Sequence, residues 1–283
     1  MKGGSAEAAT ELADLLLDHG DTGEEFNTAM EALAIGVEAG LPRAQFRLAS
    51  ILANGFGIAT PDASRARSLY QLAADQGHAP SQAALGVFYF EGIAGERSIE
   101  RAAQLFRAAA AQGDALGQYH VAILNFAGVG KIPDPAAGLK WLRQAADQKL
   151  PQALLALGQM HYDGRLVEKD DDKAVELVTA AAQAGLAEAQ LQFGVWRARG
   201  IGGAPDDRVA VAWYRRAAEQ GNPDAQYLLG NHLASGRGVT MDVEHGIFWL
   251  EAAARSGHPD AEGRIRYYLE RQQAGSAGAK DTE

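Results

Sequence analysis

Seven short strings in this chain end alike, and their ends fall on one interval. GVEAG, AADQG, AAAQG, AADQK, AAQAG, AAEQG and AARSG close at Gly40, Gly77, Gly113, Lys149, Gly185, Gly221 and Gly257. The first step is 37 residues and the next five are 36. A period of this length, held over most of a chain, specifies an array of small units that each pack on their neighbours, and not a globule with one core. It overrides the one or two ordinary domains that 283 residues would otherwise suggest.

The unit can be read by counting from each closing residue as zero. At +9 stands a small residue (Ala49, Gly86, Ala122, Gly158, Gly194, Gly230), preceded by an apolar one. Six residues later comes a glycine every time: Gly55, Gly92, Gly128, Gly164, Gly200 and Gly236. A glycine ending an apolar run of helical spacing predicts a left-handed helix cap. This defines a first helix, A, of about a dozen residues. A loop follows with a second glycine in four repeats (Gly57, Gly130, Gly202, Gly238). It leads to an acidic residue placed to cap a second helix: Asp62, Asp134, Asp170, Asp206 and Asp242. Helix B carries Leu or Trp eight residues before the next closing position and an Ala pair just before its end, as in Trp213 and Ala217-Ala218. The small residue at +9 is expected to let helix A approach that Ala pair closely.

Jointly these positions spell A-x-x-x-L-G-x-x-Y-x-x-G-x-G-V…D…A-x-x-W…A-A-x-x-G, best kept in Asp224–Gly257. The pattern resembles the Sel1-like repeat, a TPR-related helical hairpin. The resemblance implies an all-α fold: a right-handed α/α solenoid of about seven helix-turn-helix repeats plus a C-terminal capping helix. The expected layout is a degenerate N-terminal repeat at 1–40, six repeats over 41–257, a capping helix at 258–273 and a disordered tail at 274–283. The match is specific because several positions agree over consecutive copies. Departures are local. GIAGERS (Gly92–Ser98) replaces the usual loop, GRLVEKD (Gly164–Asp170) lacks the second glycine, and of the repeat's aromatic after the small position only Tyr89 remains.

In TPR-like solenoids a second face of the first helix lines the concave groove, so the resemblance points to positions +6, +10 and +13. The candidate protein-binding residues are Val87, Phe90, Tyr119, Ile123, Phe126, Leu155, Tyr162, Leu191 and Tyr227. They form an apolar, aromatic set of the kind that marks contact surfaces. Superhelical curvature could instead bury them between neighbouring A helices, and the sequence alone leaves that choice open.

Other chemistries find little support. Net charge is −10, with no run of basic residues, which argues against nucleic acid. There is no cysteine, hence no disulfide, thiolate metal site or cysteine nucleophile. His120, His161 and His232 lie on A helices without paired-ligand spacing and read as ordinary surface or groove histidines. The acidic run Glu168–Asp172 reads as a solvated helix start and not a calcium loop. The glycine pairs follow helices and no G-K-[ST] occurs, so they read as caps and turns. No catalytic residue, cofactor or metal is expected. The recurrent Gln at +5 is expected to bond to a loop or neighbouring helix.

The expected function is a non-catalytic adaptor that holds a peptide or helix of another protein in its groove, which the resemblance associates with bacterial regulation, envelope or secretion. A homo-oligomeric scaffold is the alternative, and a small-ligand or hydrolytic role using a groove histidine a remoter one. No segment approaches the apolar length of a membrane helix. The N-terminus lacks a signal-like apolar stretch, so the expected compartment is cytoplasmic; MKGGS resembles an engineered scar, and a removed export signal would make it periplasmic.

Overall fold

The computed structural model describes residues 2–19, 22–58, 60–129 and 132–280. Among them are fifteen α-helices and no strand. The chain divides into two bodies, Met1–Gln148 and Lys149–Glu283. The N-terminal body holds α1 (Lys2–His19), α2 (Gly23–Glu38), α3 (Pro42–Asn54), α4 (Ala63–Asp75), α5 (Ala79–Glu91), α6 (Ile99–Ala111), α7 (Ala115–Ala127) and α8 (Pro135–Asp147). The C-terminal body holds α9 (Pro151–Asp163), α10 (Asp171–Gln183), α11 (Ala187–Arg199), α12 (Asp207–Glu219), α13 (Pro223–Ser235), α14 (Val243–Arg255) and α15 (Ala261–Lys280). Odd-numbered helices are the A helices of the repeat and even-numbered ones the B helices. Within each body every helix packs on its chain neighbours, so hairpins stack into a helical-repeat solenoid. The helical backbone of α15 runs on to Lys280, and residues 281–283 of the expected tail lie outside the described residues.

The helix ends follow from the residues the repeat conserves within itself. Gly55, Gly92, Gly128, Gly164, Gly200 and Gly236 all cap A helices in the left-handed conformation, where only glycine avoids a Cβ clash. Asp62, Asp134, Asp170, Asp206 and Asp242 each accept the backbone N–H of the third residue of a B helix. Ser98 does the same in the repeat whose loop departs from the pattern. At the B-helix ends, the N–H of Gly77 bonds Ala74 and that of His78 bonds Ala73, the paired closure that a left-handed glycine permits. Lys149 takes this conformation with φ 65° although it is not glycine.

Two departures in sequence turn out not to be departures in backbone. Gly57, Gly202 and Gly238 have φ of 68°, 74° and 73°. Ala94 and Leu166, which stand at the same register, adopt 53° and 64°. Gly130 lies outside the described residues. The glycines sit tight on the preceding B helix: an added Cβ would come 2.5 Å from Phe26 at Gly57 and 2.7 Å from Val175 at Gly202. Leu166 escapes that constraint because its side chain is exposed.

The seams correct one expectation. The small residue at +9 does not face the Ala pair. It faces the large residue seven positions before the closing one: a Cβ on Gly86 would meet Phe106 at 2.6 Å, and one on Gly194 would meet Tyr214 at 2.7 Å. The Ala pair instead receives the next repeat's A helix at +4, where a Cβ on Gly117 would lie 2.7 Å from Ala109. The repeat therefore has two close seams, one within the hairpin and one between hairpins, each with its own small residues.

The glutamine at +5 stitches both seams. Gln45, Gln82, Gln118 and Gln190 accept from Gln76, Gln112, Gln148 and Gln220 at the end of their own hairpin, at 2.8 to 3.0 Å. Gln82, Gln190 and Gln226 also donate back to the carbonyls of Ala74, Ala182 and Ala218 in the preceding B helix. Where +5 is Leu154, the end position is Ala184, so both partners are missing together.

Candidate protein-binding faces

In the N-terminal body α5 and α7 pack against each other, which brings Val87, Phe90, Tyr119, Ile123 and Phe126 onto neighbouring helices. All five are partly buried, neither enclosed nor open. The Phe90 ring lies 6.4 Å from Phe106 and 6.1 Å from His120, with the Arg97 guanidinium 5.7 Å from its centroid. Phe126 fills the space above Gly138 of α8, where a Cβ would meet its ring at 2.5 Å. Tyr119 stands edge-on to His120 at 5.3 Å.

In the C-terminal body Leu155, Tyr162, Leu191 and Tyr227 are likewise half-buried. Leu155 and Tyr162 of α9 pack on Ala174, Val178 and Trp196. Tyr162 meets Trp196 at 5.0 Å and carries the Lys169 ammonium 5.6 Å from its ring centre. Leu191 of α11 packs on the cluster around Tyr214, and Tyr227 of α13 stacks on His258 at 4.1 Å. Of the candidates at +13, Phe90 and Phe126 belong to the N-terminal body and Tyr162 to the C-terminal one. Each body thus presents its own apolar, half-covered set on its A helices.

The histidines are not all ordinary surface or groove groups. His120 stacks face to face on Phe106 at 4.1 Å, and burial lowers its pKa from 6.5 to about 4, so it is neutral at pH 7. His232 is buried beside the Arg237 carbonyl at 3.0 Å and the Tyr214 ring, and burial also lowers its pKa. His161 is half-buried, with Nδ1 3.2 Å from the Glu168 carbonyl. These rings pack and hydrogen-bond locally. Sequence spacing could not show the stack on Phe106, because its members come from different repeats. Among the described residues no three His, Asp or Glu side chains gather as a metal site, and no helix is long and apolar enough to cross a membrane.

The architecture and these faces define a protein of stacked helical hairpins. Six copies of the Sel1 repeat match residues 42–78, 79–114, 115–150, 151–186, 187–222 and 223–258, and the chain belongs to the Sel1-repeat family. Proteins of this family generally mediate protein–protein interaction and are typically non-catalytic scaffolds. A Sel1 repeat protein from Oxalobacter formigenes is similar at 28% identity and a TM-score of 0.64, over 88% of this chain and 96% of that one. A protective antigen of uropathogenic Escherichia coli displaying an SLR fold is similar at 28% identity and a TM-score of 0.57 over 95% of this chain, which spans 57% of the antigen's length. An immunity protein from Pseudomonas aeruginosa, at 23% identity and a TM-score of 0.56 over 78% of this chain and 82% of its own, shares the fold alone. No curated protein matches the chain in sequence.

Proposed function

We propose that this chain is a non-catalytic adaptor that holds a peptide or helix of another protein against its A helices. The observation that carries this reading is that the nine candidate residues at +6, +10 and +13 stay half-covered, although the same helices bury their +4, +8 and +11 positions almost throughout. A preformed surface of this kind captures a segment without first having to order itself, which lowers the cost of binding. The E. coli relative is longer than this chain, so its role as an antigen is not carried over. Substituting Tyr119→Ala and Phe126→Ala together should weaken capture of a partner while leaving helical content unchanged. An unchanged affinity in a pull-down titration with partner co-purified from the native host would reject this face.

One observation favours a second reading, a homo-oligomeric scaffold. The last helices leave Phe248, Tyr267 and Leu269 exposed at 54%, 43% and 42%, apolar surface of the type that end-to-end stacking would cover. Light scattering decides it: a mass that stays monomeric across a wide concentration range removes this reading.

A further inference from the structure

The loop that departs most from the repeat, Gly92–Ser98, builds something no other repeat has among the described residues. Arg67 of α4 reaches into it and donates Nη1–H to the Ala94 carbonyl at 3.0 Å. It can do so because residue 95 is glycine; a Cβ there would collide with the guanidinium. The guanidinium is thereby held 4.8 Å from the ring centre of Tyr89. From the following B helix Arg101 comes to 5.4 Å from the same ring and donates to the Tyr89 hydroxyl at 3.4 Å. Two cations thus share one tyrosine.

The phenol oxygen accepts from these guanidiniums, and among the described residues its own O–H has no acceptor. Burial raises the Tyr89 pKa, but the hydrogen bonds and charge of Arg67 and Arg101 together bring it below the ordinary tyrosine value. No ion pair engages either arginine among the described residues, in a chain whose net charge is −10. Beside this cluster opens a cavity of about 400 Å³, with Leu85, Leu105 and Ala108 on its walls and Arg101, Gln104 and the tyrosine at its polar side.

We infer that this cavity binds a carboxylate side chain of an acidic polypeptide segment, on the B-helix side of the repeat and apart from the A-helix face. Arg101, Gln104 and the Tyr89 hydroxyl put one charged and two polar groups on its wall, and a guanidinium meets a carboxylate with two parallel N–H donors. Leu85, Leu105 and Ala108 take the methylenes of a glutamate. Arg101 is the guanidinium on the cavity wall, and Arg67, engaged by the Ala94 carbonyl and 4.8 Å from the Tyr89 ring centre, adds a second positive charge beside it.

The probe is a capped tetraglutamate peptide, titrated into the full chain at low salt and followed through the Gln104 side-chain amide by NMR. A saturable shift is expected there, with affinity falling about tenfold or more in Arg101→Gln. Tyr89→Phe keeps the ring and removes the hydroxyl, and it should weaken binding less than Arg101→Gln does. The Tyr119→Ala, Phe126→Ala protein should bind the peptide as wild type does, which separates this site from the A-helix face. Equal affinity in Arg101→Gln, a shift confined to other residues, or saturation by inorganic phosphate with none by the peptide would each overturn the assignment.

Discussion

The interiors of the two bodies fill one backbone frame in different ways. In the N-terminal body Phe106 projects from a B helix, and Phe90 and His120 of two successive A helices close around it, His120 face to face. In the α9–α10 hairpin of the C-terminal body the residue at the register of Phe106 is the small Val178, with Tyr214 and Leu250 in the next two repeats, and the volume is taken from the A side by Trp196, which is 1% exposed and packs on Tyr162. Caps, seams and glutamine bonds are shared, so the frame is set by the backbone requirements of the hairpin. The filling is free to vary wherever the summed volume is kept. The difference also has a chemical side: the Phe106 site packs a titratable ring, the Val178 site an indole.

The sharpest way to break the comparison is to empty either filling. Trp196→Ala should destabilise the C-terminal body by about 3–5 kcal/mol, and Phe106→Ala the N-terminal body by a similar amount. Denaturant unfolding with a probe in each body should show the loss mainly where the cavity was made, because repeat arrays couple nearest neighbours. Equal loss in both bodies from either change would contradict local filling.

The next effect tests the Phe106 filling by pH. The folded pKa of His120 lies at about 4, below its unfolded value near 6.5. In this window the unfolded chain binds the proton and the folded one does not. Stability that is full above pH 6.5 is therefore lost as pH falls toward 4, by on the order of 3 kcal/mol. The measurement is the denaturant midpoint at pH 7 and pH 4.5 in wild type and His120→Leu. The variant should have a flatter dependence, and an identical slope would show that the stacked imidazole is not the sensor.

Smaller changes test the shared frame. At Gly230 a Cβ would meet the Gly246 carbonyl at 2.8 Å, so Gly230→Ala must part α13 from α14 and should cost about 1–3 kcal/mol. At Leu166, where a bulky residue holds φ 64° with its side chain in solvent, Leu166→Gly should raise stability by up to about 1 kcal/mol. Thermal melts read both, and a stabilised Gly230→Ala would refute the close hairpin seam.

Much of this frame is legible in the sequence. The closing residues, the second-helix aspartates and the A-helix glycines announce themselves through recurrence, and they are local devices: a cap needs only its own helix end. The +5 glutamine is legible as structural for the same reason, though not its partners. What the sequence misplaces is the small residue at +9, because a close approach does not say which residue lies opposite. The nine face residues can be assigned to their helices, but their half-burial depends on residues such as Phe106, Gly138, Trp196 and His258 that come from elsewhere in the array. The Arg67–Tyr89–Arg101 cluster was hidden altogether, since the loop marked only a broken pattern.

By itself, then, the sequence determined an all-helical array, its period, its caps and its repeat family, because hydrophobic spacing and backbone conformational limits act within a few residues. Only the tertiary structure decided which small residue serves which seam, that Ala94 and Leu166 keep a glycine's conformation, and that His120 is a neutral packing ring. It alone placed two arginines around Tyr89. Those outcomes depend on contacts about one repeat apart, where the geometry of the stack, and not local propensity, sets which side chains meet.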